Sequence, residues 1–167
     1  MIIQITKTKN LCKFKLNEIC KLKNSFWNFG LIESKRWFIQ NIKKDDFHIL
    51  LFDKKKLIGY IALRDRFFVK KKKLYKYYLF DTLIIKKKYR KLNLSKVLMK
   101  SCNSFLRKKK KPAFLICKSQ LVEFYENFEW KKIFKSKFNI EGYKNKKKIN
   151  GMAFNLNVKT KLFFYIN

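Results

Sequence analysis

The stretch "DTLIIKKKYRKLNLSKVLMK", residues 81–100, constrains the fold more than any other part of the sequence. It predicts an apolar strand that runs through a basic turn directly into a helix, whose apolar residues recur every three or four positions. The apolar run "AFLIC" (113–117) follows Pro112, which ends that helix, and predicts a second, buried strand. This order favours two parallel strands joined by a right-handed crossover. Ligands tend to bind at the carboxyl ends of such strands.

The rest of the chain supplies further helices and strands. Helical spacing is present at 11–22, where Cys12, Leu16, Ile19 and Cys20 share a face, at 33–39, with Trp37 and Phe38 directed inward, and around 121–128. Strand patterns cover 48–52, 57–63, 74–85 and 151–158, and the first two form a hairpin. We therefore expect one domain over residues 1–167, of the α+β class, with a mixed sheet covered by helices on both faces.

The chain carries 43 Lys and Arg against 11 Asp and Glu, a formal net charge of +32. Such a charge favours a polyanionic partner, for example RNA or the ribosome. It is also typical of AT-rich coding, since Lys, Asn, Ile and Phe abound while Gly and Pro are scarce. Both interpretations stay open. Only five of these cations are arginine, so diffuse attraction is favoured over the reading of individual bases.

Several classes of site and location are disfavoured. The four cysteines are scattered and the chain has one histidine, His48, so no metal site is predicted. The thiols are expected to be reduced and mostly buried in a cytoplasmic protein. No apolar run approaches the ~18 residues of a membrane-spanning helix, and the first residues do not resemble a signal peptide. The oligomeric state stays open, with a homodimer as one alternative.

Two phrases of the sequence resemble the GNAT superfamily of acyl-CoA N-acyltransferases, over about residues 45–135. The family has an acidic residue on its fourth strand, then a Gln/Arg-x-x-Gly-x-Gly/Ala turn that opens a helix. Here these positions are Asp81 and Arg90-x-x-Asn93-x-Ser95. Further on, "FYENFEW" (124–130) is similar to the family phrase "FYekxGF". Asn93, Ser95 and Glu129 replace family glycines, although asparagine tolerates positive φ and serine is small.

The resemblance implies a site for coenzyme A. Acetyl-CoA would be the acyl donor, with its pyrophosphate on the backbone amides that open the helix. Its pantetheine arm would lie along the strand before the turn, and no metal would be needed. The residues assigned to cofactor binding are Leu83, Ile84, Ile85, Arg90, Lys91, Leu92, Asn93, Leu94, Ser95 and Lys96.

The same resemblance suggests two catalytic residues. Tyr125 would protonate the leaving thiolate, and Asp81 would take a proton from the amine. Each has a structural alternative: Tyr125 shares a helical face with Leu121, Phe124 and Phe128, and Asp81 could simply pair with a lysine. Cys117 and His48 are expected to be structural. The three tryptophans, Trp27, Trp37 and Trp130, are candidates for a pocket or for the core.

The predicted function is N-acetylation of a primary amine on an unidentified acceptor. The resemblance places the acceptor side at about 24–42 and at a loop of about 66–74. The net charge favours an anionic acceptor, or an acceptor on an anionic partner. The alternative is a non-catalytic, basic RNA- or ribosome-binding protein on a degenerate scaffold of the same family.

Overall fold

A computed structural model describes residues 1–142 and 149–166, and within them four α-helices and nine strands. The helices are α1 (Lys13–Trp27), α2 (Leu31–Asn41), α3 (Leu94–Lys109) and α4 (Val122–Glu126). The strands are β1 (Ile2–Lys7), β2 (Phe47–Asp53), β3 (Lys56–Lys70), β4 (Lys73–Ile85), β5 (Ala113–Cys117), β6 (Lys131–Ile133), β7 (Phe138–Ile140), β8 (Asn150–Phe154) and β9 (Leu162–Phe164). They form one mixed sheet in the order β1-β2-β3-β4-β5-β8-β6, with β9 paired to β3 and β7. The predicted α+β class is confirmed.

The chain divides into two compact units. The first comprises Met1–Arg64 and Asp81–Cys102, and the second comprises Asp65–Phe80 and the described part of Asn103–Asn167. Three elements, β3, β4 and α3, each run from one unit into the other. The catalytic and cofactor-binding candidates up to Lys96 belong to the first unit, and Tyr125 belongs to the second.

In the first unit, β1, β2 and β3 are antiparallel neighbours, and α1 and α2 pack on them through apolar side chains. The shared core consists of Ile19, Cys20, Leu22, Phe38, Ile42, Leu50, Leu57, Tyr60, Ala62 and Ile84. Gly59, near the start of β3, allows a close approach. A Cβ there would lie 2.9 Å from Ile85 Cδ1 and 3.0 Å from Leu98 Cδ1. The missing side chain therefore lets α3 pack tightly next to the end of β4.

In the second unit, β5 is parallel to β4, as predicted from the crossover, and antiparallel to β8. The registered pairs between β4 and β5 are Tyr78 with Ala113 and Leu79 with Phe114. The core here combines aromatic and aliphatic side chains, and the rings of Phe114 and Phe164 stack at a centroid distance of 3.9 Å. Every residue of β8 is buried, so this strand is covered on both faces.

The structure corrects several sequence predictions in the first unit and along β3. The first helix covers Lys13–Trp27 rather than 11–22, and Cys12 precedes it as an exposed residue instead of joining the buried face. The strand β1 was not predicted. The proposed loop at about 66–74 is wrong, because β3 continues to Lys70 and β4 starts at Lys73. Both residues of the intervening turn, Lys71 and Lys72, have positive φ, which allows a tight hairpin.

Two further corrections concern the second unit. The last predicted strand, 151–158, is shorter: β8 ends at Phe154, where Asn155 adopts a φ of 54°. Within β8, Gly151 and Ala153 are buried as well as the alternating apolar residues Met152 and Phe154. The helix around 121–128 is reduced to α4, and Leu121, which precedes it, is exposed rather than inward. No helix in the described part of the chain is long and apolar enough to span a membrane.

Candidate active site

Two side-chain hydrogen bonds hold the turn between β4 and α3. The Tyr89 hydroxyl donates a 2.8 Å hydrogen bond to the carboxylate of Asp53, and the Arg90 Nε donates to the carbonyl of Ile85 at 3.2 Å. Lys91 and Asn93 have φ values of 70° and 55°. This left-handed geometry is the conformation that glycine adopts readily, and asparagine is one of the few other residues that tolerate it. The turn keeps its shape without glycine.

The start of α3 presents unused hydrogen-bond donors. The carbonyl of Asn93 accepts the amides of Lys96 at 3.0 Å and Val97 at 3.4 Å, which are the first bonds of the helix. The backbone amides of residues 91–95 donate to no acceptor among residues 1–142 and 149–166. Five consecutive amides at the positive end of a 16-residue helix form a site that suits an anion. The residues here therefore fit a pyrophosphate group.

The strand that leads into this turn holds the other cofactor-binding candidates. Thr82, Ile84 and Ile85 are buried, whereas Asp81 and Leu83 are half-buried. The amide of Lys86 donates to the carbonyl of Ile58 at 2.8 Å, so β4 remains bonded to β3 up to its end. The registered pairs with β5 stop at Leu79. In the first unit the strand and the turn form one continuous backbone segment.

A cavity of about 530 Å³ lies in the first unit between α1, α2 and β4. Its volume is typical of a pocket for a small molecule. The lining residues combine aromatic rings with ionised and polar groups: Lys23, Trp27, Phe29, Glu33, Ser34, Arg36, Trp37, Gln40, Asp81 and Thr82. Asp81 therefore faces a space that can hold a substrate. Its Oδ1 is 3.7 Å from the Nη1 of Arg64, which is 4% exposed.

Lys23 is the most unusual group at this cavity, and the sequence patterns did not single it out. It is 9% exposed, and its Nζ lies 3.4 Å from the ring centroid of Trp37. Burial lowers the pKa of Lys23 from 10.5 to about 8, although the charge of Asp81 opposes part of that shift. The available signal was its position on the same helical face as Ile19 and Cys20, where a lysine is out of place.

In the second unit, Tyr125 is 7% exposed and lies on α4. Its ring contacts Phe80 edge-on at a centroid distance of 5.9 Å and Trp130 at 6.3 Å. Its carbonyl accepts the amides of Phe128 at 2.9 Å and Trp130 at 3.2 Å, so the turn after the helix is tied to it. Glu129 completes that turn with a φ of 67°, at the position where the family phrase has glycine.

The remaining candidates are placed as follows. His48 is fully buried between Phe38 and Tyr60, and Cys117 is buried, which raises the pKa of its thiol to about 11. Both environments suit structural roles. Trp130 is part of the core and donates to Asn103 at 3.0 Å, whereas Trp27 and Trp37 line the cavity. Among the described residues, no group of three His, Cys, Asp or Glu could hold a metal ion.

A mixed sheet of this order, with a turn of free amides after β4, defines the N-acetyltransferase class of fold. A family model described as "Acetyltransferase (GNAT) domain" matches residues 17–145. The chain therefore belongs to the GNAT family. Membership supports acyl-CoA-dependent N-acyl transfer as its general activity. No curated protein matches the sequence.

Solved structures agree with this fold. The GNAT family N-acetyltransferase YhbS from Escherichia coli, in complex with CoA, has a TM-score of 0.70 at 14% identity, covering 99% of this chain and 89% of that one. An aminoglycoside 6'-N-acetyltransferase complexed with coenzyme A has a TM-score of 0.67 at 13% identity, covering 94% and 98%. The ribosomal-protein-S18-alanine N-acetyltransferase from Escherichia coli has a TM-score of 0.62 at 12% identity, covering 91% of each chain.

Proposed function

We propose that this protein is an N-acetyltransferase that transfers the acetyl group of acetyl-CoA to a primary amine. The observation that carries the proposal is the row of unused amides at 91–95, in a chain that belongs to the GNAT family. These amides, with Arg90 and the nearby lysines, would hold the pyrophosphate. The backbone of Leu83 and Ile85 would pair with the pantetheine arm as a neighbouring strand does.

In the proposed reaction, the amine attacks the thioester carbonyl directly. The C–N bond forms, the C–S bond breaks, and the products are an amide and coenzyme A. The acceptor occupies the cavity beside Asp81, whose carboxylate takes a proton from the substrate ammonium, directly or through water. Tyr125 gives a proton to the departing thiolate, and the proton that the nitrogen loses on becoming an amide returns to Tyr125 through water. Each proton transfer contributes about 10²- to 10⁴-fold to the rate.

A thermal-shift titration tests cofactor binding separately from catalysis. At about 100 times Kd, acetyl-CoA should stabilise the fold by about 2.7 kcal/mol, a rise of roughly 5–10 °C in Tm. ATP at the same ionic strength controls for general attraction to a chain of charge +32. S-Acetylpantetheine, which lacks the pyrophosphate, should give little shift. Equal shifts with ATP and acetyl-CoA, or no shift at millimolar acetyl-CoA, would contradict the proposal.

A further inference from the structure

The charged groups around the cavity of the first unit form ion pairs, except Lys23. Glu33 forms an ion pair with Arg36 on α2 at 2.6 Å, and Asp81 pairs with Arg64 at 3.7 Å. No carboxylate in the described part of the chain lies within 4.0 Å of the Lys23 ammonium. The cavity therefore carries one positive charge that these pairs leave uncompensated.

The surroundings of Lys23 explain why this charge matters. Its neighbours are the faces of Trp37, at 3.4 Å, and Trp27, at 5.6 Å from Nζ to the ring centroids. The Lys23 ammonium also donates no hydrogen bond to an acceptor in residues 1–142 or 149–166. Cation–π contacts replace only part of the hydration that a buried ammonium loses. An anionic group in the cavity would supply the missing charge and the missing hydrogen-bond acceptors.

We propose that Lys23 binds a carboxylate of the acceptor, so that the acceptor is an amino acid, or a similar amine that carries one carboxylate. This inference rests on the proposed acetyl transfer for the identity of the ligand as an acceptor. A single uncompensated cation matches the single charge of a carboxylate. The rings of Trp27, Phe29 and Trp37 provide apolar walls, which favours an apolar or aromatic side chain. Asp81, on the same cavity, remains available for the amine.

Matched pairs of amines test the proposal: L-phenylalanine and L-leucine, each with its amide. The amide keeps the side chain and the amine but lacks the carboxylate. Affinity is measured by calorimetry and turnover by release of free thiol from acetyl-CoA. We expect each acid to bind at least about tenfold more tightly than its amide, because the amide leaves a buried charge without a partner. The amide has the more weakly basic amine, so amine reactivity cannot explain a preference for the acid.

Two variants test whether the preference for the acid depends on Lys23. Lys23→Met removes the charge and keeps an unbranched side chain, and it should fold because it also removes a buried ammonium. Lys21→Met is the matched control: it removes a lysine from the same helix, but one whose side chain is 62% exposed. The acid-to-amide preference should fall to about one in Lys23→Met, through KM rather than kcat, and should persist in Lys21→Met.

Proton uptake gives a readout that a purely structural lysine would not show. A bound carboxylate would favour the charged form of Lys23, whose pKa is about 8 in the free protein. Binding at pH 8 should then take up about half a proton, seen as a difference in heat between Tris and HEPES buffers. Lys23→Met should lose this uptake.

The results separate the inference from the proposed function. Turnover of acids and amides alike, or a preference that survives in Lys23→Met, overturns the role of Lys23 and leaves acetyl transfer standing. Binding of acids that depends on Lys23, without any thiol release, supports the carboxylate site and counts against acetyl transfer. If no acid binds more tightly than its amide, the inference is overturned. The titration with acetyl-CoA then tests the proposed function separately.

Discussion

The two units bury different kinds of side chain. The first unit places His48, Lys23 and Arg64 in its interior, whereas the charged side chain buried in the second unit is Arg66. The main cluster of the second unit is built from Phe68, Tyr77, Phe114, Phe138, Phe164 and aliphatic residues. Ionisable groups are costly to bury, whereas aromatic rings gain free energy from burial. The first unit therefore carries most of the chemistry of the candidate site, and the second has the composition of a packed scaffold.

Tyr125 is the proposed exception to this division, and its substitution should have the largest effect. We expect Tyr125→Phe to fold, because the ring still packs against Phe80 and Trp130. If the hydroxyl protonates the thiolate, kcat should fall by about 10²- to 10⁴-fold with little change in the Kd of acetyl-CoA. Steady-state kinetics and a melting curve on the same variant provide the measurement.

Tyr77→Phe is the matched control within the same unit. The Tyr77 hydroxyl is buried and donates to the carbonyl of Tyr165 at 2.7 Å. Its loss should cost about 1–3 kcal/mol of stability and leave kcat unchanged. If both variants keep full turnover, Tyr125 is part of the scaffold and supplies no proton to the reaction.

The next effect concerns His48, whose protonation makes the stability of the fold depend on pH. A neutral imidazole with its proton on Nε2 satisfies its neighbours, because it donates to the Thr8 hydroxyl and accepts from the Tyr60 hydroxyl, each at 2.8 Å. Burial, with a smaller contribution from the charge of Lys23, lowers the pKa of His48 from 6.5 to about 4. Between pH 6.5 and 4 the unfolded chain therefore binds a proton that the folded chain does not.

The resulting stability is fully present above pH 6.5 and is lost as the pH falls towards 4. At about 1.4 kcal/mol per pH unit, the loss amounts to roughly 3 kcal/mol. His48 is the only histidine, so its NMR signal needs no assignment by mutation. Its ring protons should not titrate near pH 6.5. In His48→Gln, acid denaturation should lose this component, and a titration at pH 6–7 in the wild type would contradict the prediction.

One buried glycine in each unit, Gly59 in the first and Gly151 in the second, allows the packing of the two units to be compared. A Cβ at Gly151 would lie 2.8 Å and 2.9 Å from two atoms of the Phe138 ring and 2.9 Å from Phe114. A Cβ at Gly59 would instead meet the flexible ends of Ile85 and Leu98 at 2.9 Å and 3.0 Å. Rings are rigid and their neighbours are packed, so they can move less than these aliphatic ends.

We therefore expect Gly151→Ala to cost about 2–3 kcal/mol and Gly59→Ala about 1 kcal/mol. Chemical denaturation provides both values. A larger loss in Gly59→Ala would show that the packing of α3 against β3 is the more rigid of the two. It would also weaken the view that the second unit is the scaffold.

The sequence predicts those parts of the fold whose signals are local. β5 is predicted at its observed bounds because an apolar run follows Pro112, and α3 starts at Leu94 because its apolar spacing starts there. The length of β3 could not be predicted, since Arg64 and Arg66 interrupt the apolar pattern. Their burial, at 4% and 1% exposed, depends on tertiary surroundings. β1 was missed because it depends on a distant partner: its registered pairs with β2 run from Lys7 with Phe47 to Ile2 with Phe52.

The candidate site shows the same limit. The turn at 90–96 could be identified because its backbone geometry follows from the order strand, turn, helix and from two short phrases. Lys23 was not identified, because its local signal, a place on the same helical face as Ile19 and Cys20, is weak in a chain where lysines are abundant. Its character comes from Trp37 on α2 and from Asp81 on β4, which are near it only after folding.

The smallest expected effects concern two residues that stand where the family pattern has glycine, Asn93 in the first unit and Glu129 in the second. Both adopt a left-handed conformation, with φ values of 55° and 67°. Glycine would relieve the strain of that conformation but would add entropy to the unfolded chain, and these terms are each about 1 kcal/mol. Asparagine tolerates the left-handed region better than glutamate, so less strain is relieved at Asn93.

We expect Glu129→Gly to stabilise the fold by about 0.5 kcal/mol and Asn93→Gly to leave it within about 0.3 kcal/mol of the wild type. Glu129 also pairs with Arg107, but its side chain is 71% exposed, and such a pair contributes little. Denaturant midpoints at constant m-value provide the comparison, and Glu129→Gln controls for loss of the ion pair alone. A larger gain in Asn93→Gly than in Glu129→Gly would mean that the turn before α3 is the strained one. The strain would then lie at the amides proposed to hold the pyrophosphate, where a rigid, pre-formed backbone benefits binding.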